Sequence, residues 1–346
     1  MPELTDVAPK GALRKGWSGL VDDYAIACEW ALGSNIVLIG DVAGGVWSFD
    51  SKSGKIIWHL KAIHDGALMT MRVHPDGHLL ATAGQDGQVL VWDCHQGKEI
   101  SRMRLGSGWV EHLAWSADGS WLAATCSREL WVFDTAGAEI WRSGEHPSTI
   151  SAIAWSNSNE LAVACYGRVI FYDVTTRDMR QQLEWRGSLV SMVLSPDGDI
   201  VACGSQDNSV HFWRRSTGQD SMMSGYPGKP SNLAFDHSGT LLATGGAETV
   251  TVWSFEGDGP EGTSPGHLEL HTKPISSLAF APRGSRLASG ARDGSVVLWS
   301  LKGNGEGGPI GAALMTDRVS AVAWRPDGRA LAAVDGRGGV CTWRVS

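Results

Sequence analysis

The chain has 346 residues, of which 42% are hydrophobic and 19% charged, and its formal net charge is −8. These values describe an ordinary globular protein. The negative charge argues against nucleic acid as a partner, because that kind of surface needs a clustered basic face. No apolar run is long enough to form a transmembrane helix, so the sequence predicts no membrane insertion.

The N terminus and the cysteines predict a location for the protein. Residues 1–15 contain charges and a proline where a signal peptide would need an apolar stretch. The six cysteines are scattered and form no C-x-x-C pair, which favours free, buried thiols over a disulfide framework. The sequence therefore predicts a cytoplasmic protein.

A unit of about 40–45 residues recurs eight times along the chain, a period typical of a β-propeller. Each unit has a short apolar run, a polar turn such as His74-Pro75-Asp76-Gly77, a second apolar run and a closing aromatic residue. The closing aromatics are Phe49, Trp92, Phe133, Tyr172, Trp213, Trp253, Trp299 and Trp343. The period predicts four short strands in each unit, which together form one blade.

In chain order, residues 1–20 come first as an N-terminal arm. The first unit then contains four predicted strands, at 24–31, 36–39, 45–49 and 56–60. The second unit repeats the pattern at 68–73, 78–83, 88–92 and 99–103. Because such strands are apolar on both sheet faces, each blade needs neighbours that cover it.

The eighth unit, from Val319 to Val345, ends after its third predicted strand. We therefore expect residues 11–20 to supply its fourth strand, since this pairing replaces free sheet edges with hydrogen bonds. The sequence predicts an all-β fold, a single closed β-propeller of eight four-stranded blades over residues 21–346; a seven-bladed ring is the alternative. The repeats are predicted at 21–62, 63–104, 105–145, 146–184, 185–225, 226–269, 270–313 and 314–346.

Short motifs within these units resemble those of the WD40-repeat family. The Trp-Asp dipeptide occurs at Trp92-Asp93, and softer copies such as Phe49-Asp50 close other units. The resemblance extends over nearly the whole chain and implies a hydrogen-bonded tetrad of structural side chains in each well-formed blade. Two units match the tetrad completely and with identical spacing: His64, Thr82, Asp86 and Trp92, and His271, Ser289, Asp293 and Trp299.

The sequence contains no credible catalytic set. Ser289, His271 and Asp293 are the residue types of a hydrolase triad, but the tryptophan partner and the duplicate set in another unit indicate a structural role. The G-x-G-x-x-G pattern at 303–308 and the G-x-S-x-G pattern at 262–266 lie in loops between predicted strands, without the helix that either motif requires. We expect no enzyme activity, cofactor or metal.

The family resemblance implies partner contacts on one face of a propeller, around its central channel. The loops before first strands and the turns between second and third strands share that face. The large or charged residues at these positions are predicted to bind a partner: Tyr24, Trp109, Glu111, Lys229, Arg292 and Arg318. Trp109 is the first choice, because exposed tryptophans often dominate interfaces; packing against a neighbouring blade is its alternative. Cys126 and Cys165 occupy matching turns and are weak candidates for a thiol pair or half a metal site.

These features are compatible with two functions that belong to different classes of protein. We expect a non-enzymatic scaffold, a subunit of a larger complex, that binds a protein or peptide partner on the channel face. The alternative is an enzyme, or a propeller that binds a small ligand or metal in its channel. Such a site would need converging histidines and carboxylates at first-strand positions, where only Glu111 qualifies. The fold alone does not separate the two.

Overall fold

The computed structural model describes residues 11–156 and 159–346. Over these residues the regular structure consists of 32 β-strands, arranged in eight four-stranded antiparallel sheets, without an α-helix. No helix in the described part of the chain is therefore long and apolar enough to cross a membrane. The described residues divide into two compact units, residues 22–192 and residues 11–21 with 193–346.

The unit at residues 22–192 contains the first four blades, each with its strands in chain order across the sheet. The strands are numbered in chain order, so the N-terminal strand is β1 (Leu13–Leu20) and the first blade begins with β2. Blades one and two are β2 (Ala25–Ala31), β3 (Ile36–Asp41), β4 (Val46–Asp50), β5 (Ile56–Leu60), β6 (Leu68–Val73), β7 (Leu79–Gly84), β8 (Gln88–Asp93) and β9 (Lys98–Arg104). Blades three and four are β10 (Val110–Trp115), β11 (Trp121–Cys126), β12 (Glu129–Asp134), β13 (Glu139–Arg142), β14 (Ala152–Trp155), β15 (Glu160–Cys165), β16 (Arg168–Asp173) and β17 (Asp178–Glu184).

The later strands form the remaining four blades. Blades five and six are β18 (Leu189–Leu194), β19 (Ile200–Ser205), β20 (Val210–Arg214), β21 (Gln219–Met223), β22 (Asn232–Phe235), β23 (Leu241–Gly245), β24 (Val250–Ser254) and β25 (Gly266–Leu268). Blades seven and eight are β26 (Ile275–Phe280), β27 (Arg286–Ala291), β28 (Ser295–Leu301), β29 (Gly307–Leu314), β30 (Val319–Trp324), β31 (Ala330–Asp335) and β32 (Gly339–Val345), with β1 as the last strand.

The N-terminal strand completes the eighth blade, as predicted. β1 pairs antiparallel with β32, from Leu13 opposite Val345 to Leu20 opposite Gly339. The Trp17 N–H donates to Thr342 Oγ1 at 3.2 Å, which fixes the strand where its register shifts. The strand begins two residues later than expected, and the first ten residues of the predicted arm lie outside the described residues. The structure has eight four-stranded blades, which confirms the predicted eight-bladed β-propeller and excludes the seven-bladed alternative.

Apolar residues that alternate along the strands build the core between neighbouring blades. In residues 22–192, one buried cluster joins Leu38 and Val46 of the first blade to Met71 and Leu90 of the second. In the other unit, a cluster joins Val250 and Val252 of the sixth blade to Leu287, Val297 and Trp299 of the seventh. These contacts bury the sheet faces that a lone blade would expose to water.

The turns between first and second strands depend on glycine. Gly77 ends one such turn with φ 79°, and a Cβ at this position would lie 3.0 Å from the Leu32 backbone nitrogen. The Leu32 N–H donates to the Gly77 carbonyl at 3.0 Å, so the turn of the second blade touches the first. A side chain would disturb both the turn and this contact.

Candidate functional site

Trp109 lies exposed on the loop before the first strand of the third blade. Its exposed fraction is 52%, whereas the next residue, Val110, is completely buried and anchors β10. The loop approaches the turn between β11 and β12 closely, since a Cβ at Gly108 would lie 2.6 Å from Ser127 Oγ. The glycine thus lets the loop pack against its own blade while the indole remains in solvent.

A second exposed aromatic, Tyr166, occupies the turn between β15 and β16 of the fourth blade. Its exposed fraction is 60%. The Tyr166 N–H donates to Ser148 Oγ at 2.8 Å, so a loop of the same blade holds the backbone of the turn. Gly167 follows with φ 79°, a conformation that glycine adopts without strain. The phenol therefore projects from a fixed turn.

A cleft of about 550 Å³ lies among these loops in residues 22–192. Its lining comes from three blades: Glu111, His112, Ser148, Thr149, Ile150, Ser151, Tyr166, Ser188, Leu189 and Val190. Trp109 lies two residues before Glu111, at the end of the loop that leads into β10, and Glu111 is the second residue of that strand. The cleft, together with Trp109, is the candidate functional site, and we call it the blade 3–4 cleft.

The charge of the blade 3–4 cleft comes from Glu111. The Glu111 side chain is exposed, and among the described residues it forms no ion pair or side-chain hydrogen bond. Burial, and secondarily the positive charge of Arg72, lower the pKa of His112, although a hydrogen bond with the Ile150 backbone opposes them. The imidazole is consequently neutral at physiological pH, and the carboxylate gives the cleft a negative charge.

The other four predicted contact residues lie in loops before first strands or after a second strand. Tyr24 is half-buried ahead of β2, and its carbonyl accepts the Val42 N–H at 2.9 Å. Lys229 is exposed ahead of β22, and Arg318 is exposed ahead of β30. Arg292 is exposed after β27, where its backbone N–H donates to the Pro274 carbonyl at 3.0 Å. The structure brings Glu111 into the cleft with Tyr166, and none of these four residues lines it.

The first tetrad forms a continuous hydrogen-bond network inside the second blade. His64 Nδ1 lies 3.1 Å from Asp86 Oδ1, and His64 Nε2 lies 3.1 Å from Thr82 Oγ1. The Trp92 indole N–H donates to the same Thr82 oxygen at 2.9 Å. Burial acts to raise the pKa of Asp86, but hydrogen bonds from the Asp65 and Gln88 backbones and the contact with His64 lower it.

The tetrad of the seventh blade contains an additional residue. His271 Nε2 lies 2.6 Å from Ser289 Oγ, which also accepts the Trp299 indole N–H at 2.8 Å. His271 Nδ1 meets Ser295 Oγ at 2.5 Å, and Ser295 in turn donates to Asp293, whose Oδ1 is 3.9 Å from the imidazole. The direct histidine–aspartate bond that the family pattern implies is therefore replaced by a serine bridge, because the Ser295 hydroxyl fits between the two groups.

Sequence reasoning missed a related network in the sixth blade, where tyrosine replaces histidine. The Trp253 indole N–H donates to Tyr226 Oη at 2.7 Å, and Thr244 Oγ1 lies 3.1 Å from the same oxygen. Tyr226 precedes Thr244 by 18 residues, the spacing of His64 to Thr82, so a signal was present in the sequence. The Tyr166 position and the blade 3–4 cleft were also missed, since they arise from loops of different repeats.

Cys126 and Cys165 are buried free thiols that the structure places at the last residues of β11 and β15, one position before the predicted turns. Burial raises the pKa of both thiols. Across residues 11–156 and 159–346, no group of three or more histidine, cysteine, aspartate or glutamate side chains is arranged to hold a metal ion. The two patterns that resemble nucleotide and hydrolase motifs lie in loops that run into strands: residues 303–306 precede β29, which begins at Gly307, and residues 262–265 precede β25, which begins at Gly266. A strand follows each loop, and neither loop leads into the helix that these motifs require.

Comparison with known proteins supports the fold assignment. A family model described as an N-terminal beta-propeller domain matches residues 56–241, and the model of the WD domain, G-beta repeat, matches residues 262–300. The crystal structure of the computationally designed Ika8 protein covers 96% of this chain and is itself covered completely, with a TM-score of 0.82 and 20% identity. At this identity the similarity shows the fold alone.

Several relatives are similar along most of this chain. Autophagy-related protein 16 of Arabidopsis thaliana is 27% identical over 81% of the chain and 56% of its own length. Periodic tryptophan protein 2 of the same species is 27% identical over 89% of the chain and 36% of its own length. Actin-interacting protein 1 of Caenorhabditis elegans is 24% identical over 81% of the chain and 46% of its own length.

The chain thus spans about half or less of the length of these relatives. The model of the N-terminal beta-propeller domain alone matches more than half of the chain, and a WD repeat-containing protein is among the similar sequences. The chain therefore belongs to the β-propeller family of that model, and the WD-domain match together with the WD-repeat relative confirms its resemblance to WD40-repeat proteins.

Proposed function

We propose that this protein is a non-enzymatic scaffold that binds a protein or peptide partner through the channel-face loops of its propeller. The observation that carries the proposal is the blade 3–4 cleft, with two exposed aromatics and an unpaired carboxylate beside it. Its fold and its WD-repeat relatives support an interaction role, and the name of one relative, Actin-interacting protein 1, refers to such a role in that protein.

The cleft has the chemistry of a peptide-binding surface. Trp109 and Tyr166 offer large aromatic faces at a low cost in side-chain entropy, which is why such residues often dominate interfaces. Serine and threonine side chains supply hydrogen-bonding groups along the cleft, and Glu111 supplies charge complementarity for a basic group of the partner. A volume of about 550 Å³ accommodates one or two side chains of a bound segment.

Local geometry supports a role in binding rather than catalysis. His112 is the histidine that lines the cleft, and its hydrogen bond goes to the Ile150 backbone. Among the described residues, no hydrogen bond joins its imidazole to a serine or threonine hydroxyl, which a general base must activate in nucleophilic catalysis. We therefore favour a binding surface over the enzymatic alternative.

The remaining proposals concern the setting in which the scaffold works. The six cysteines are free thiols, which supports a reducing compartment, and we propose the cytoplasm. A partner in a larger complex is proposed because a propeller presents several loop surfaces on a rigid frame. Nucleic acid is disfavoured as a partner by the net charge of −8.

Affinity capture followed by a measured dissociation constant tests the proposal. Trp109→Ala should weaken binding of the captured partner at least about tenfold, or ~1.4 kcal/mol, and leave the melting temperature close to that of the unmodified chain. Met179→Ala is the matched control, since Met179 is an apolar side chain with 58% exposure on the outer strand β17. Equal affinities for the unmodified protein and Trp109→Ala would contradict the proposed surface.

A further inference from the structure

A second cleft, of about 460 Å³, lies in the sixth blade and its preceding loop. All its lining residues belong to the unit that contains residues 193–346: Ser224, Gly225, Tyr226, Pro227, Thr244, Gly245, Gly246, Ala247, Thr249, Thr251, Trp253, Pro265, His267 and Glu269. We call it the blade 6 cleft. We propose that the blade 6 cleft binds the lysine or arginine side chain of a partner protein segment.

The blade 6 cleft exists because this blade has an unusually short outer strand. β25 has three residues, whereas the outer strands of the other seven blades have four to eight. The long loop after β24 returns to the sheet only at Pro265 and Gly266, and β24 pairs with β25 at three positions. The part of the blade that a longer outer strand would cover is therefore open.

One face of this strand pair is available to a ligand. Val250, Val252 and Leu268 point into the buried cluster shared with the seventh blade. Thr251 lies opposite His267 in the register, so these two side chains share the other face of the sheet, which lines the cleft. Strand alternation thus separates the structural face from the ligand face.

The tyrosine network forms a rigid aromatic wall. Trp253 and Tyr226 are half-buried, and the 2.7 Å hydrogen bond from the indole N–H to the phenol oxygen fixes both rings. Thr244 Oγ1, 3.1 Å from the phenol oxygen, also lies 3.2 Å from the Thr251 carbonyl oxygen, to which it donates. The polar atoms of the wall thus have partners, both rings pack partly against the apolar cluster of the fifth and sixth blades, and their remaining surface lines the cleft.

The charge of the blade 6 cleft determines the sign of its ligand. Glu269 is the one carboxylate in the lining, and neither lysine nor arginine lines the cleft. Among the described residues, the exposed Glu269 and His267 side chains form no ion pair or side-chain hydrogen bond. A carboxylate without a counter-ion beside aromatic rings favours a cation, since the ring faces carry negative electrostatic potential.

The cleft opens to solvent, and this favours the side chain of a partner protein over a free amine as its ligand. His267 is exposed within β25 and Glu269 is exposed just after it, and Ser224 and Gly225 are exposed on the facing loop. A lysine or arginine can therefore enter between them, place its aliphatic stem against Trp253 and Pro265, and leave its own backbone outside. Such contacts of the stem add affinity that a small free cation lacks.

Titration of the isotope-labelled full chain with blocked amino acids tests the proposal. N-acetyl-lysine methylamide or N-acetyl-arginine methylamide should shift the backbone amide signals of Gly225, Gly246 and Ala247, with a dissociation constant on the order of 1 mM. N-acetyl-norleucine methylamide, which has a similar length without charge, should leave these signals unchanged. Equal shifts with the neutral compound would overturn the assignment of a cation site.

Variants that change the charge of Glu269 test whether the probe binds in the blade 6 cleft. Glu269→Gln should weaken binding of the cationic probe roughly fivefold or more, and Glu269→Lys should abolish it. Glu261→Gln, an exposed glutamate on the preceding loop outside the lining, is the matched control and should bind normally. Unchanged binding in both Glu269 variants would contradict the proposal.

Two further arms identify the source of the cation and the independence of the site. Butylammonium should bind more weakly than the blocked lysine; equal binding would overturn the partner side chain in favour of a free amine. Trp109→Ala should bind the blocked lysine normally, because Trp109 does not line this cleft. Loss of binding in that variant would show that the probe occupies the blade 3–4 cleft instead.

Discussion

Tyr226 fills in the sixth blade the position that His64 and His271 fill in the second and seventh. Its hydroxyl oxygen receives the indole N–H of Trp253 at 2.7 Å, while burial raises the pKa of the phenol. A tyrosine can thus replace the histidine of the tetrad, provided that one oxygen meets both the indole and the threonine. The blade then needs no aspartate, since the phenol has no second ring nitrogen to satisfy.

Tyr226→Phe tests this account of the sixth blade. The change leaves the half-buried indole N–H of Trp253 without its acceptor, so the free energy of unfolding should fall by about 1–3 kcal/mol. Tyr166→Phe is the matched control, because that phenol is exposed and removing its hydroxyl should leave stability unchanged. Denaturant unfolding of the two variants gives the comparison, and equal stabilities would argue against the network.

Asp86→Ala tests the network of the second blade. The change removes the acceptor of the buried His64 and of two backbone N–H groups, and we expect a loss of about 1–3 kcal/mol in the free energy of unfolding. Asp293→Ala should have a similar effect through Ser295. Asp65→Ala, at an exposed neighbouring carboxylate, serves as the control. Melting temperatures of the Asp86 and Asp293 variants equal to that of the unmodified chain would refute the structural role.

The strands could be predicted from the sequence because their causes are local. Polar turns with glycine at positive φ, as at Gly77 and Gly198, separate apolar runs of strand length in most repeats. The pairing of β1 with the last blade could also be predicted, since the eighth unit lacked a fourth strand and the N-terminal arm contained a segment of strand length. The short β25 could not be predicted, because the loop before it contains no signal for where pairing resumes.

Gly16→Val tests the closing strand. A Cβ at Gly16 would lie 2.6 Å from Thr342 Oγ1, the atom that accepts the Trp17 N–H, so the substitution should displace β1 from β32. We expect a loss of about 1–3 kcal/mol, the usual cost of overpacking. Lys15→Val, at an exposed position of the same strand, is the control. A thermal unfolding curve of Gly16→Val that coincides with that of the control would show that β1 contributes little.

At the scale of the whole molecule, the repeated blade supplies a frame, and we propose that the irregular loops supply the binding surface. The family resemblance and the eight blades were predictable, since six repeats carry a similar polar turn with glycine and every repeat has a closing aromatic residue. Trp109 is exposed on the loop before β10, and its role as a contact residue stays a prediction. The two clefts were not predictable, because each brings together side chains far apart in the sequence, such as Glu111 with Ser188.

A hydrogen–deuterium exchange footprint of the captured partner on this chain tests the central claim most directly. The account predicts slower exchange on binding in residues 106–112, 146–151 and 166–167, the loops around Trp109, Glu111 and Tyr166. The outer strands of the blades should exchange at the same rate as in the free protein. A footprint confined to the long loops at 256–266 and 303–309, with no protection around Trp109, would contradict the proposed surface.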